Sequence, residues 1–556
     1  MHMRGADALI RALERAGVET VFGIPGGACL PVYDALHDSP IRHVLMRHEA
    51  AAGHAAEGYA RASGRIGVAI GTSGPGATNL VTAIADAAMD SVPTLFITGQ
   101  VKTALRGTNA FQEADAIGIT QPLVKHSIAV ERADDIAQAV VDALQIACSG
   151  RPGPVLIDLP VDIAAGPARD ATREPYLPGY RPRARPNGRQ VRWAAEALAA
   201  SHRPVLYAGG GVINAGAADE LRALAALTRA PVTTTLMALG AFPASDPAWL
   251  GMLGMHGTRV ANWAMDEADL IVAIGARFDD RVTGALDEFA PRAKVVHIDI
   301  DPAEIGKNVP VHVPIVGDAK LALAALCREF EKLVAPPLHE WWARIRGWQA
   351  AEEPRPPAAE PGCADPEAAL DALAAVLGDA IVTTDVGQHQ MWAAARLRFD
   401  APRRWITSGG LGTMGFGLPA ALGAQAAAPG APVVCVSGEG SFLMNVQELA
   451  TAVEEALPVK VLLLDNASLG MVRQQQDLFW GGRRTAVALG ASPDWELLAR
   501  AFGVAARSVG DGDEIADALA ETLAEDGPAL LHVRIAPDAN CLPMFRPGGA
   551  AREMIG

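Results

Sequence analysis

The run VCVSGEGSFLMN, Val434 to Asn445, decides how the chain is read. Its apolar start has the length and β-branched content of a buried strand, and Ser437-Gly438-Glu439-Gly440-Ser441 then forms a tight turn that exposes one carboxylate. Further on, a second apolar run, VKVLLL, ends in Asp465-Asn466. Two neighbouring strand ends, each offering an oxygen at its tip, can clamp a hard cation such as Mg2+, while helix amides after Gly440 receive phosphate. Gly-acid-Gly turns are common, so the turn alone does not decide the matter.

Similar runs recur along the chain, among them RIGVAIGTSG, VPTLFITG, PVLYAGGG, ADLIVAIGA and AKVVHIDID, alternating with Ala-rich helical patterns. This alternation predicts an α/β fold of doubly wound parallel sheets covered by helices on both faces. Two stretches break it. Residues 165–190 and 351–366 are rich in Pro and charge and poor in apolar residues, and are expected to be linkers. Three domains follow, at 1–168, 190–345 and 366–556.

With 556 residues, the chain is too long for a single core. A net charge of −16 argues against nucleic-acid or anionic-membrane partners, which demand clustered Lys and Arg. No apolar run approaches the roughly 20 residues of a membrane span. The start MHMRGADALIRALERAG carries charge through its apolar stripe, so it predicts an amphipathic helix ended by Gly17 rather than a signal peptide. Six scattered cysteines without a Cys-x-x-Cys pair point to neither zinc nor disulfides, and a reducing cytoplasm is the expected setting.

In open parallel sheets, ligands bind beyond the carboxyl ends of the strands. Glu49 follows one such run and opens an Ala-rich helix, where an acid also serves simply as a partner for the helix dipole. Gly74-Pro75-Gly76 makes a strand-to-helix turn with free amides, and NAFQEAD follows at 109–115. The middle third offers YAGGGVINAG, TTTLMALG, LGMLGMHG and GARFDDRVTG. The first departs from Gly-x-Gly-x-x-Gly, so a cofactor phosphate near Arg277, Asp279 and Arg281 and a solvated charge cluster stand as equal readings.

Read in this order, the blocks resemble the acetohydroxyacid synthase (acetolactate synthase) large-subunit family of thiamine-diphosphate enzymes, from Ala6 to Gly556. The most specific are VFGIPGGACLPVYDAL, RHEAAAGHAAEGYARASG, TSGPGATNLVTAIADA, GMHGT, HIDIDPAEIGKN and TSGGLGTMGFGLPAALGAQ. The resemblance implies pyrimidine-binding, middle and diphosphate-binding domains, with an active site spanning two subunits of a homodimer or homotetramer. It implies decarboxylation of pyruvate and transfer of the two-carbon unit to a second pyruvate or to 2-oxobutyrate, at the first common step of branched-chain amino acid biosynthesis. By the same match Glu49 is the glutamate that hydrogen-bonds the pyrimidine ring, and Gln112 and Gly27 lie close to the reacting centre. Gly412 and Met414 hold the bent cofactor, and Gly438, Gly440 and Ser441 belong to the diphosphate turn. The implied Mg2+ ligands are Glu439, Asn466 and the carbonyl of Ser468. A structural FAD is implied at Arg151, Gly209, Gly210, Gly211, Thr235, Leu236, Gly254, Met255, His256, Gly275, Arg277, Asp279, Arg281 and Asp318. A small regulatory subunit is a partner of biosynthetic members.

Some positions depart from the family pattern. Glu439 stands where the family has Asp, and its extra methylene is expected to weaken metal and cofactor binding, since Mg2+ wants near-octahedral oxygens. Asp465 replaces a non-ligating Asn. Gln475 replaces a Trp that favours 2-oxobutyrate, so acetolactate is the expected main product. Val161 replaces a common Lys. Two alternatives accompany this reading: another thiamine-diphosphate carboligase or decarboxylase of a specialised pathway, and a weakly active subunit resting on Glu439 alone. Glu49 argues against a glyoxylate carboligase, whose matching position is apolar.

Overall fold

The computed structural model describes residues 3–169, 173–352, 360–510 and 514–556. Three six-stranded sheets follow one another along the chain, and every strand pair within them is parallel. The first runs Arg42–Leu45, Thr20–Gly23, Gly67–Gly71, Thr94–Gln100, Pro154–Pro160, His126–Ala129. In the second the order is Trp249–Met252, Val232–Thr234, Pro204–Ala208, Leu270–Ile274, Lys294–Asp299, Val313–Val316. The third places Trp405–Thr407, Ile381–Thr384, Val433–Gly438, Lys460–Asp465, Ala529–Arg534 and Ala505–Val509 side by side. Their central strands are buried throughout, which is why they read as continuous apolar runs rather than as alternating ones.

Each sheet reverses its winding once, between the strand entered first and the one that starts the other half. Those points fall between Thr20–Gly23 and Gly67–Gly71, between Pro204–Ala208 and Leu270–Ile274, and between Ile381–Thr384 and Val433–Gly438. At such a switch point the two flanking connections leave in opposite directions and a crevice opens beyond the strand ends. The Gly-rich runs of the sequence stand at these three crevices.

The first helix covers Gly5–Arg15, burying Leu9, Ile10 and Leu13, and Gly17 follows its end at φ +77°. The stretch 165–190 is more tethered than a linker: Pro167–Ala168 pairs with Met3–Arg4, and the Asp318 N–H donates to the Ala184 carbonyl at 2.8 Å. Of the other stretch, 351–366, residues 353–359 lie outside the described residues; its end is ordered, with Pro366–Val376 helical and capped by Asp365.

The first and third domains meet along the helices Glu49–Ser63 and Gly417–Ala427. Ala and Gly dominate both facing surfaces because the backbones nearly touch. A Cβ on Gly58 would fall 2.1 Å from the Ala420 carbonyl oxygen, and one on Gly423 would fall 1.8 Å from that of Ala55. One apolar cluster therefore runs through both domains, from Phe22 and Phe96 to Phe416 and Trp495. All six cysteines are unpaired, and among the described residues no helix is long and apolar enough to cross a membrane.

Candidate active site

The switch point of the third sheet opens into a cavity of about 90 Å³. Its walls are the segment after Ile381–Thr384 (Val386 to His389, with Trp392), the turn Gly438–Ser441, the loop Asn466–Val472 and Met414. The strands Val433–Gly438 and Lys460–Asp465 are neighbours in register, Gly438 opposite Leu464, which brings Glu439 and Asn466 to adjacent strand tips. Glu439 is not exposed as its turn predicts. It begins a short helix, Glu439–Phe442, and is 3% accessible, facing the cavity rather than solvent.

The Ser468 N–H donates to Glu439 Oε1 at 2.7 Å and to Asn466 Oδ1 at 3.1 Å. The Asn466 amide in turn donates to Gln388 Oε1 at 3.2 Å. Burial, with the negative charge of Asp465 nearby, pushes the Glu439 carboxyl up to about 7, against the pull of its N–H donors. Asp465 itself lies outside the cavity lining. Burial acts against its charge, yet donation from His532 Nε2 (3.2 Å), Trp495 Nε1 (2.9 Å) and the Ala467 N–H (2.9 Å) holds its carboxyl down at about 2. It thereby ties the start of the Asn466–Val472 segment to Trp495 and His532, on the side away from the cavity.

The donor set fits a hard cation beside a diphosphate. Glu439 supplies a carboxylate, Asn466 an amide oxygen and Ser468 a main-chain carbonyl, the oxygen types that Mg2+ takes. Two buried polar atoms at the cavity, His389 Nε2 and Ser468 Oγ, have no hydrogen-bond partner within the chain. Burial lowers the His389 ring to about 4, leaving it neutral and free to donate to an anion. The glycines let these side chains close in: a Cβ on Gly438 would meet His389 Nδ1 at 2.7 Å, and one on Gly470 would meet Gln388 Oε1 at 2.1 Å, so either substitution would push its neighbour aside. Gln388, His389 and Trp392 were not singled out in the sequence, although VTTDVGQHQMW ends an apolar run in polar residues like the other sites.

The first domain gathers a second group on its strand-end rim. Gly27 follows Thr20–Gly23, Glu49 opens the helix after Arg42–Leu45, and Gln112 packs at φ +59° against the Gly74 turn. Glu49 Oε2 accepts from Asn79 Nδ2 at 3.0 Å. A buried acid anchors the approach to this residue from the other domain, since the Arg47 N–H donates to Glu448 Oε1 at 3.0 Å. No residue of the first domain lines the cavity at Glu439.

In the middle domain Gly209, Gly210 and Gly211 stand at one side of the switch point and Gly275 at the other. A Cβ on Gly209 would lie 2.2 Å from the Gly275 carbonyl oxygen, so only bare backbone fits between the strands. Thr235 and Leu236 follow the neighbouring strand Val232–Thr234. Gly254, Met255 and His256 are drawn in by the Met255 N–H, which donates to the Arg281 carbonyl at 2.7 Å. Thr235 Oγ1 and His256 Nδ1 are buried without partners, which fits a polar ligand in this crevice. Asp279 and Asp318 cap helices, accepting from the Arg281 and Leu321 N–H groups at 3.0 Å each. Arg151 reaches across from the first domain to Glu304 at 2.8 Å and Asp301 at 3.4 Å, and Arg277 reaches back to the Met89 carbonyl.

Three parallel α/β domains, with a crevice in the last whose oxygen donors fit a hard cation beside a diphosphate, define the chain as a thiamine-diphosphate-dependent enzyme. Family models agree with this: the thiamine pyrophosphate enzyme N-terminal TPP binding domain matches residues 3–119, the central domain 191–326 and the C-terminal TPP binding domain 385–533. More particularly, the chain belongs to the acetolactate synthase large-subunit family. It is 49% identical to the acetolactate synthase of Mycobacterium bovis, covering 99% of this chain and 91% of that one. It is 48% identical to a probable acetolactate synthase large subunit of Methanocaldococcus jannaschii, over 100% and 95% of the two chains. With the acetolactate synthase isozyme 2 large subunit of Escherichia coli the identity is 47%, over 100% and 99%.

Proposed function

We propose that the protein decarboxylates pyruvate and joins the remaining two-carbon unit to a second 2-oxo acid, giving chiefly 2-acetolactate, as the first common step of branched-chain amino acid biosynthesis. The observation that carries this is the crevice itself, a hard-oxygen donor set at Glu439, Asn466 and Ser468 beside unpartnered buried donors, in a chain of this family.

When bound, thiamine diphosphate supplies the acidic carbon and the electron sink that decarboxylation of a 2-oxo acid requires. The chain's own residues do the rest. Glu439, Asn466 and the Ser468 carbonyl would hold Mg2+; His389, Ser441 and the turn amides would hold the diphosphate; Met414 and the Gly412 carbonyl would seat the pyrimidine end. Glu49 would be the carboxylate that holds and exchanges a proton at the pyrimidine end of the cofactor, and Gln112 and Gly27 would border the reacting carbons. The middle crevice would hold FAD, in the structural role the family resemblance implies, with Gly209 and Gly275 leaving bare backbone there and Thr235 Oγ1 and His256 Nδ1 free to bond it.

The first-domain rim and the third-domain cavity become one site when two copies pair, so a homodimer is the smallest working unit. Around both halves large apolar side chains are exposed, including Phe111 (87%), Met444 (54%), Val472 (47%) and Leu411 (43%), as a surface awaiting a second copy would require. A regulatory small subunit is a further partner of the same assembly, in the cytoplasm. The test is to incubate the purified protein with labelled pyruvate, thiamine diphosphate and Mg2+ and to identify the product. Acetolactate supports the reading; acetaldehyde alone would assign a decarboxylase instead.

A further inference from the structure

The loop that carries Gly412 and Met414 begins at Ser408, and that residue is held from another domain. Its hydroxyl donates to Asp86 Oδ1 at 2.7 Å while accepting from the N–H groups of Gly412 and Thr413 at 3.1 and 2.8 Å. A hydroxyl has one proton and two lone pairs. All three are used here, and only an acceptor at Asp86 leaves both lone pairs to the loop.

Asp86 lies on the first-domain helix Val81–Asp90 and is fully buried. One turn on, Asp90 accepts from the Gly409 and Gly410 N–H groups at 2.9 and 2.8 Å. Arg61 closes the set, donating to Asp90 at 2.9 Å and to the Thr407 carbonyl at 2.6 Å. The middle domain packs its Met237 side chain against this loop, where a Cβ on Gly409 would fall 2.2 Å from Met237 Sδ. Burying carboxylates is costly, and a contact needed only for packing is met more cheaply by apolar side chains.

We propose that Asp86 is a positioning residue of the thiamine site: through Ser408 Oγ it fixes the backbone of Gly412 to Met414 in the shape that receives the cofactor. This rests on the reading that those residues contact thiamine diphosphate. Burial, with Glu57 and Asp90 beside it, raises the Asp86 carboxyl far above its ordinary range, so acceptance at Oδ1 does not depend on a negative charge. An amide oxygen can therefore replace it.

The experiment compares Asp86→Leu, Asp86→Asn, Ser408→Ala and the double variant Asp86→Leu/Ser408→Ala in the full chain. Hydrogen exchange at the Gly412 and Thr413 amides is read without cofactor, and calorimetric titration with thiamine diphosphate and Mg2+ follows. Asp86→Leu and Ser408→Ala are each expected to speed exchange and weaken cofactor binding by about tenfold, the loss of one buried hydrogen bond. The double variant is expected to be no worse than either single one, and Asp86→Asn to return to near the wild-type values. Unchanged amide protection in Asp86→Leu or Ser408→Ala, or an Asp86→Asn variant as impaired as Asp86→Leu, overturns the proposal while leaving the functional reading intact. Faster exchange with unchanged cofactor affinity overturns it by removing the loop from the cofactor site. A wild-type protein that takes up no thiamine diphosphate overturns the functional reading on which it stands. Should Asp86→Leu fail to fold, Ser408→Ala, which deletes a single oxygen, decides the same question.

Discussion

Glu439 and Ser468 are joined across two strand tips: the Ser468 N–H donates to the Glu439 carboxylate at 2.7 Å. The longer acid reaches past the position a shorter one would take and bonds the loop whose carbonyl is assigned to the metal. In Glu439→Asp the carboxylate withdraws from that N–H and one oxygen is freed for coordination. The Mg2+ and thiamine diphosphate concentrations giving half activity are expected to fall several-fold, up to about tenfold for 1.4 kcal/mol of regained binding. Unchanged half-saturating concentrations would show that the extra methylene is without consequence.

Glu49 is partly exposed, and its amide neighbour Asn79 can serve a Gln as well as a Glu. Glu49→Gln is therefore expected to leave the thermal midpoint unchanged within error and to lower turnover by about 10²-fold or more, the usual worth of a proton-exchanging group. Turnover within a fewfold of wild type would remove Glu49 from the chemistry.

The pH dependence of stability has a named contributor. Burial raises the Glu448 carboxyl from 4.5 to about 7, even though Thr451 and the Arg47 N–H donate to it. Between those two values the folded chain holds a proton that the unfolded chain has lost, so stability falls as pH rises through this window. Glu448→Gln keeps an acceptor for Arg47 and abolishes the titration. Its denaturation midpoint is expected to drop less than that of the wild type between pH 5 and 8, by up to about 3 kcal/mol in stability. Parallel pH profiles for the two proteins would contradict this assignment.

At the junction of the first and third domains, a methyl group on Gly423 would sit 1.8 Å from the Ala55 carbonyl oxygen, a main-chain atom that cannot rotate away. Gly423→Ala is expected to destabilise the chain by about 1–3 kcal/mol through overpacking, despite the better helix propensity of alanine. A raised melting temperature would mean that the helices slide apart freely.

Gln475 stands on the helix Gly470–Phe479, next to the cavity-lining stretch that ends at Val472. With pyruvate and 2-oxobutyrate supplied equally, wild type is expected to form mainly acetolactate, and Gln475→Trp to raise the share of 2-aceto-2-hydroxybutyrate. Equal product ratios in the two proteins would exclude position 475 from acceptor choice.

The sequence made visible what local pattern controls. Apolar runs ending in Gly or an acid marked the strand tips, and VCVSGEGSFLMN with the run ending at Asn466 located the crevice because two parallel neighbours share an edge. What stayed hidden depends on contacts between segments hundreds of residues apart. Glu448 looks like one more helix acid until Arg47 is placed against it, and Asp86 and Ser408 look like ordinary helix and loop residues until the domains meet. The burial of Glu439 was missed for the same reason: its own turn is polar, and the walls that cover it come from Gln388, His389 and Leu469.

In the proposed dimer the Glu49 rim of one copy completes the Glu439 crevice of the other. This arrangement is tested most directly by co-expressing Glu49→Gln and Glu439→Ala chains carrying different affinity tags and isolating the mixed dimers. Each variant alone is inactive on this account. In a mixed dimer one site carries both substitutions and the other carries neither, so about half of the wild-type acetolactate formation is expected. Mixed dimers as inactive as the two parent variants would place the whole site within a single chain and contradict the account.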